Sequence, residues 1–333
     1  MSHISAVSPL YAVPGGKVKV HGSWDPARAH RYRAFLGTTQ AHVTGVSTPS
    51  LTALVPDEST LGELRVELDG QSSPPFSITL AKTLATDLHP VANPVFDEDA
   101  NLYVTVSGSR GQKVPVAIYA IDPAGRVKPF LTDFMNATGL AFDGDGDLYV
   151  SSRHDGGVYR VGPDRKVELV ADELGIATGL AFDTDGILYV GDRQGTVFRI
   201  ERNGEPRVFC RLPPSVSAYH LAFDRRGSLY VSGPSLSSVD PVYVVSPEAK
   251  VEVFCAGFGR PQGMAFDEAE NLYVTEALVG DSGVYRVSPN GERDLAVSGP
   301  PLVGLAFDGR GGLVLAGGSS VYLLKVGVAG KPI

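Results

Sequence analysis

Residues 178–192 read ThrGlyLeuAlaPheAspThrAspGlyIleLeuTyrValGlyAsp, and variants of this unit centre on Phe96, Phe142, Phe182, Phe223, Phe266 and Phe307, at spacings of 46, 40, 41, 43 and 41 residues. Self-similarity at that period means one supersecondary unit repeated, each copy burying its apolar surface only against its neighbours. The chain is thereby restricted to a stacked or radial array from about Lys82 to Val326, with a smaller domain in front.

Each copy holds a run like GlyLeuAlaPheAsp, a polar turn, LeuTyrVal, a variable loop, a run like ValTyrArgVal and a fourth run such as GluLeuValAla at 168–171. Four short strands in about 40 residues describe a propeller blade. The first two runs are almost continuously apolar, as strands buried on both faces must be. The turn between them is Asp- and Gly-rich, for example AspThrAspGly at 183–186, which is hairpin chemistry. The last copy stops after its third strand, ValTyrLeuLeuLysVal at 321–326, whereas the segment from Lys82 aligns with an ordinary fourth strand. The expectation is therefore an all-β chain. A six-bladed β-propeller spans residues 81–333, its ring closed by residues 82–86 pairing with 320–326, and a small immunoglobulin-like β-sandwich precedes it over residues 1–80.

The front segment alternates short β-rich runs, LysValLysValHisGly at 17–22, LeuThrAlaLeuValPro at 51–56 and GluLeuArgValGluLeu at 63–68, with Pro, Gly and Ser. With IleSerAlaValSerPro, ProGlyGly at 14–16 and a closing PheSerIle, it resembles an IPT/TIG domain, an immunoglobulin-like module. That resemblance implies an accessory role, including contact with a protein partner. The lone Trp24 fits a core or interdomain position better than a ligand platform. The repeats themselves, over roughly 86–326, resemble NHL repeats and the six-bladed propellers of the regucalcin/gluconolactonase (SMP-30) family. Such propellers host hydrolases, lyases and interaction modules, so function has to come from the site.

A net charge of −8 disfavours diffuse attraction to nucleic acid or anionic membranes, and no apolar run is long enough for a membrane helix. The N-terminus has no charged segment followed by an apolar one, which makes a cytoplasmic location the expectation. Cys210 and Cys255 sit in the same repeat phase, ValPheCys, on neighbouring copies, too far apart for a disulfide.

In a propeller, the loops leading into first strands and out of second strands share one face. Strand-start positions there are His89, Asn93, Asn136, Thr138, Thr178, Tyr219, His220, Arg260 and Gln262; strand-end positions are Arg110, Ser152, Arg153, His154, Asp192, Arg193 and Glu276. Four arginines in this set make an anion-attracting mouth on an otherwise acidic protein. The resemblance to gluconolactonases implies a divalent cation held by Glu, Asn and Asp just before the GlyLeu pair. The matching positions here are Ala92, Thr138, Thr178, Tyr219, Gln262 and Val303, without a carboxylate, so no metal or other cofactor is expected. His89, His154 and His220 form a weaker zinc alternative. AspGlyAspGlyAsp at 143–147 has the look of a calcium loop, yet lacks the distal glutamate and occupies an ordinary hairpin turn. Asp192 and Glu276 read either as an acid/base pair or as loop anchors. Tyr219 and His220 replace the usual ThrGly and are the first catalytic candidates. The resulting function is a propeller binding a polar or anionic small molecule or peptide at its mouth. The alternative is a gluconolactonase-like hydrolase or lyase of lactones or esters, using Tyr219, His220, Asp192 and Glu276.

Overall fold

The computed structural model describes residues 4–59, 61–278 and 280–330; residues 1–3 and 331–333, at the two limits of the expected domains, lie outside the described residues. Apart from one 3-10 turn, Pro26–Arg31, the described chain is β-structure and loop, arranged as a propeller. Five sheets are four-stranded and antiparallel, four of them meanders of consecutive strands. In the sheet of Ala177–Phe182, Leu188–Asp192, Thr196–Ile200 and Pro206–Arg211, Phe182 faces Leu188 at one end, while Ala177 faces Asp192 and Asp192 faces Thr196 at the other. First-strand starts and second-strand ends thus share one face of the molecule.

The repeat motif has a physical reason at almost every letter. The Asp of each AlaPheAsp-type copy caps its hairpin turn: Asp97, Asp143, Asp183, Asp224, Asp267 and Asp308 each accept the backbone N–H four residues on, at 2.7–2.9 Å. This is the Asx-turn use of aspartate, and Asp143 in AspGlyAspGlyAsp performs it as its siblings do. The Gly of ThrGlyLeu lets inner strands approach: a Cβ on Gly139 would stand 2.1 Å from the Thr178 carbonyl oxygen, and one on Gly179 2.4 Å from that of Tyr219.

Lys82–Ala85 pairs antiparallel with Val321–Lys325, Lys82 opposite Leu323, so a strand from before the array becomes the outer strand of the last sheet. Around this seam Leu84, Ala85 and Leu88 pack with Leu102, Val314 and Val321.

Another sheet has six strands. Pro261–Phe266, Leu272–Glu276, Gly283–Val287 and Arg293–Ser298 are extended by Tyr11–Ala12 and Thr79–Leu80, both added in parallel. These two short strands belong to the chain's first eighty residues, which otherwise follow an antiparallel sheet path around their own core of Val18, Val20, Leu36, Leu51, Leu64 and Val66. Trp24 lies in that core, its Nε1 donating to the Val20 carbonyl at 3.0 Å and its ring edge-on to Tyr32. The two parts are tied further by Ser298 Oγ donating to the Lys17 carbonyl (2.6 Å) and by the Lys19–Asp281 ion pair (2.8 Å). Cys210 and Cys255 are free and buried, and burial pushes both thiols up to about 11. No helix among the described residues is long and apolar enough to cross a membrane.

Candidate functional site

On the face where first strands begin, the loop at 106–115 is fixed from the neighbouring sheet by Asn136. Its amide is fully buried, donates to Ser107 Oγ (3.1 Å) and to the Gly108 (3.3 Å) and Ser109 (3.0 Å) carbonyls, and accepts from the Gly111 N–H (2.6 Å). Asn136 has φ +49°, a left-handed conformation that asparagine tolerates better than most residues. The sequence placed it among ligand contacts; here it shapes the loop that carries Arg110.

Arg110 reaches the His154 carbonyl (3.3 Å), and Arg153 reaches back to Ser107 Oγ (3.2 Å) and the Gly108 carbonyl. Arg193 donates through Nε to the Ser215 carbonyl (3.1 Å). Every one of these acceptors is neutral. Among the described residues no carboxylate forms an ion pair with Arg110, Arg153 or Arg193; ten other arginines share that lack, and what distinguishes these three is that Arg153 is repelled by the other two. The nearby acid, Asp155, is engaged instead by the Tyr159 hydroxyl (2.7 Å) and the Gly157 N–H (3.0 Å). Burial, followed by repulsion from Arg193 and Arg110, pushes the Arg153 guanidinium down from its ordinary value, and its buried Nε has no partner among the described residues. Guanidinium stays charged throughout the working pH range, so an anion would relieve a standing repulsion here.

The other candidates divide. Tyr219 is a wedge between sheets: buried, with its hydroxyl donating to the Pro213 carbonyl and its N–H to Thr178 Oγ1 (3.1 Å). Its ring lies against Gly191 and Gly233, and burial raises its phenol. His220 occupies the place of the motif glycine and is buried; burial lowers it to about 4, with a Gln262 hydrogen bond opposing, and its Nε2 is unpartnered among the described residues. Thr178 donates to the Gly191 carbonyl (2.9 Å) and Thr138 to that of Asn136 (3.1 Å). Asn93, at the other glycine-position departure, bridges the Met264 carbonyl (2.9 Å) and the Leu305 N–H (3.1 Å).

Asp192 is buried and accepts from the Ile176 (2.9 Å) and Gln194 (3.0 Å) N–H groups. Glu276, also buried, accepts from Gly259 (2.8 Å), Arg260 (2.9 Å) and Leu278 (2.7 Å) N–H groups. Both carboxylates thus anchor loops through backbone bonds. His89 is exposed and bonded to the Gly318 carbonyl (2.8 Å), and His154 is exposed on its own loop. Among the described residues no three His, Cys, Asp or Glu side chains converge as a metal site. The positions matching the gluconolactonase ligands, Ala92, Thr138, Thr178, Tyr219, Gln262 and Val303, offer a hard cation no carboxylate.

Sequence reasoning passed over Leu236, Val239 and Leu278, which stand 93%, 52% and 64% exposed on loops of the same face. A signal was available for the first two: the 43-residue spacing marks where the repeat is padded, and the padding falls in the loop at 233–239.

No protein-family model matches the sequence, and no curated protein matches it either. Solved structures do. The chain is similar to a gluconolactonase from Xanthomonas campestris (19% identity, TM-score 0.62, 73% of this chain and 88% of that one). It is also similar to an auxiliary nutrient binding protein from Bacteroides ovatus (15% identity, TM-score 0.59, 99% and 98%) and to virginiamycin B lyase from Staphylococcus aureus (13% identity, TM-score 0.53, 73% and 97%). At these identities the likeness concerns the fold: neighbours that include gluconolactonase-like and lyase β-propellers, with five blades discerned here.

Proposed function

We propose that this protein is a binding propeller whose mouth recognises a carboxylate- or phosphate-bearing ligand through Arg110, Arg153 and Arg193. The observation that carries the reading is their grouping without an ion-paired carboxylate among the described residues, on a chain of net charge −8. A cluster of like charges held by neutral carbonyls is costly unless something negative completes it. Arginine's fixed fork then gives the geometry for bidentate capture. In this reading Pro261–Ser298 is the sixth blade of a closed ring over residues 81–333. The chain's first eighty residues are an IPT-like immunoglobulin-fold module, and the protein works in the cytoplasm without nucleic acid, membrane or metal. The likeness to an auxiliary nutrient binding protein over nearly the whole chain agrees with a binding role.

The test is calorimetric titration with citrate and with inorganic phosphate, against neutral glycerol. The wild type should bind an anion in a salt-sensitive manner, and Arg153→Gln should weaken it roughly tenfold or more. Absence of anion binding above that of chloride would end the proposal.

A second reading rests on His220, a neutral imidazole with an unpartnered Nε2 beside Gln262, a state suited to a general base in a gluconolactonase-like hydrolase or lyase. Turnover of any member of a lactone and aryl-ester panel, lost in His220→Ala with folding intact, would favour it over binding alone.

A further inference from the structure

The loops around the mouth differ in chemistry according to the sheet they come from. Those of the first three sheets carry Arg110, Arg153 and Arg193; those of the next two carry Leu236, Val239 and Leu278, with a single arginine, Arg260, where the second of them begins. The apolar loops are built. Asp240, buried, accepts from the Ser235 N–H (3.0 Å) and hydroxyl (2.6 Å), closing the loop that carries Leu236 at its tip. Buried Glu276 accepts the Leu278 N–H, and the Gly280 N–H donates to the Leu278 carbonyl (2.9 Å). Two buried acids therefore hold two leucines out in water. The halves are also joined: Arg193 donates to the Ser215 carbonyl, and Ser215 Oγ (2.9 Å) and the Val216 N–H (2.8 Å) both donate to the Pro234 carbonyl.

We infer that the occupant of the mouth is a peptide segment of a partner protein in which acidic side chains flank a large apolar one, the acids on the arginine half and the apolar residue on Leu236 and Leu278. This rests on the anion-binding reading and specifies its ligand. A small molecule is held in a concave pocket that buries most of its surface, which a leucine 93% exposed at a loop tip cannot form. Arginines beside apolar residues on ordered loops are instead the makings of a protein–protein contact, polar positions fixing register and apolar ones gaining by leaving water. The net charge of −8 repels an acidic segment elsewhere on the surface, so charge complementarity confines it to the mouth.

The experiment measures fluorescence anisotropy of short fluorescein-labelled peptides bearing glutamates around one leucine or phenylalanine at varied spacing, at low and high salt, with the full chain. At least one peptide should bind in a salt-sensitive manner and lose affinity when its glutamates become glutamine. Leu236→Ser and Leu278→Ser, which alter exposed side chains, should keep the thermal midpoint and weaken the peptide roughly tenfold or more. Citrate binding should be unchanged in both. If the leucine variants leave peptide affinity intact, or no peptide binds while citrate does, the inference fails and the anion reading stands. If the wild type binds neither, the anion reading itself fails. A concentration-dependent dimer abolished by Leu236→Ser would overturn the inference in favour of a second copy of the chain.

Discussion

Tyr149 of one sheet stands edge-on to Phe182 of the next, ring centroids 5.0 Å apart and planes at 83°. The same pairing joins Tyr103 to Phe142, Tyr189 to Phe223, Tyr230 to Phe266 and Tyr273 to Phe307. The Tyr of each LeuTyrVal and the Phe of the following AlaPheAsp are thus one device for packing sheet on sheet. In the last copy Val314 replaces the tyrosine, and the chain segment with Leu84 and Leu88 packs beside it. The repeated motif is consequently scaffold.

A double-mutant cycle on Tyr149 and Phe182, each changed to leucine, should return a coupling of about 0.5–1.5 kcal/mol beyond lost burial, measured by urea denaturation. Additive effects would mean the rings merely fill space.

The fold was largely legible because the period, the Asp turns and the apolar pairs repeat, and repetition averages away local ambiguity. The grouping of Arg110, Arg153 and Arg193 was legible for the same reason, since they occupy corresponding loops. What escaped was whether a polar residue faces solvent or its own backbone. Asn136 looked like a ligand contact, but its amide is directed at loop N–H and carbonyl groups, an orientation that depends on loop path rather than on spacing; Glu276, open between acid/base and loop anchor, has its carboxylate on backbone N–H groups. Tyr219 departs from the repeat because a wedge is needed between Gly191 and Gly233, a packing requirement invisible along the chain.

Asn136→Ala should free the loop at 106–115. It removes all the amide's bonds, leaves buried groups unpaired at about 1–3 kcal/mol, and puts alanine at a φ of +49°. Asn136→Gly removes the backbone strain and keeps the lost bonds. Hydrogen exchange should quicken at Gly111 in both variants, with weaker citrate binding; unchanged protection of Gly111 would refute the clamp.

Glu276→Gln tests anchor against acid/base. The carboxylate accepts three backbone N–H groups, and glutamine turns an NH2 toward at least one of them. Stability should fall by roughly 2–4 kcal/mol in urea, the range for bonds to a buried charge. A variant of wild-type stability that has lost a turnover seen in the parent would instead assign the residue to chemistry.

His220 should give the protein an acid-sensitive limb. Its folded value, about 4, lies below the ordinary 6.5, because burial disfavours the imidazolium. As pH falls from 6.5 the unfolded chain takes up this proton and the native one does not, so stability is fully present above 6.5 and drains away toward pH 4. Between pH 7 and pH 5 the loss from this group is roughly 2 kcal/mol. His220→Gln retains a polar side chain that does not titrate. Urea denaturation of both proteins at the two pH values should show the wild type losing more than the variant by that amount, carboxylate contributions cancelling in the difference. Equal losses would mean that water or an alternative rotamer already satisfies the imidazolium, and that the ring is not held neutral by the packing around it.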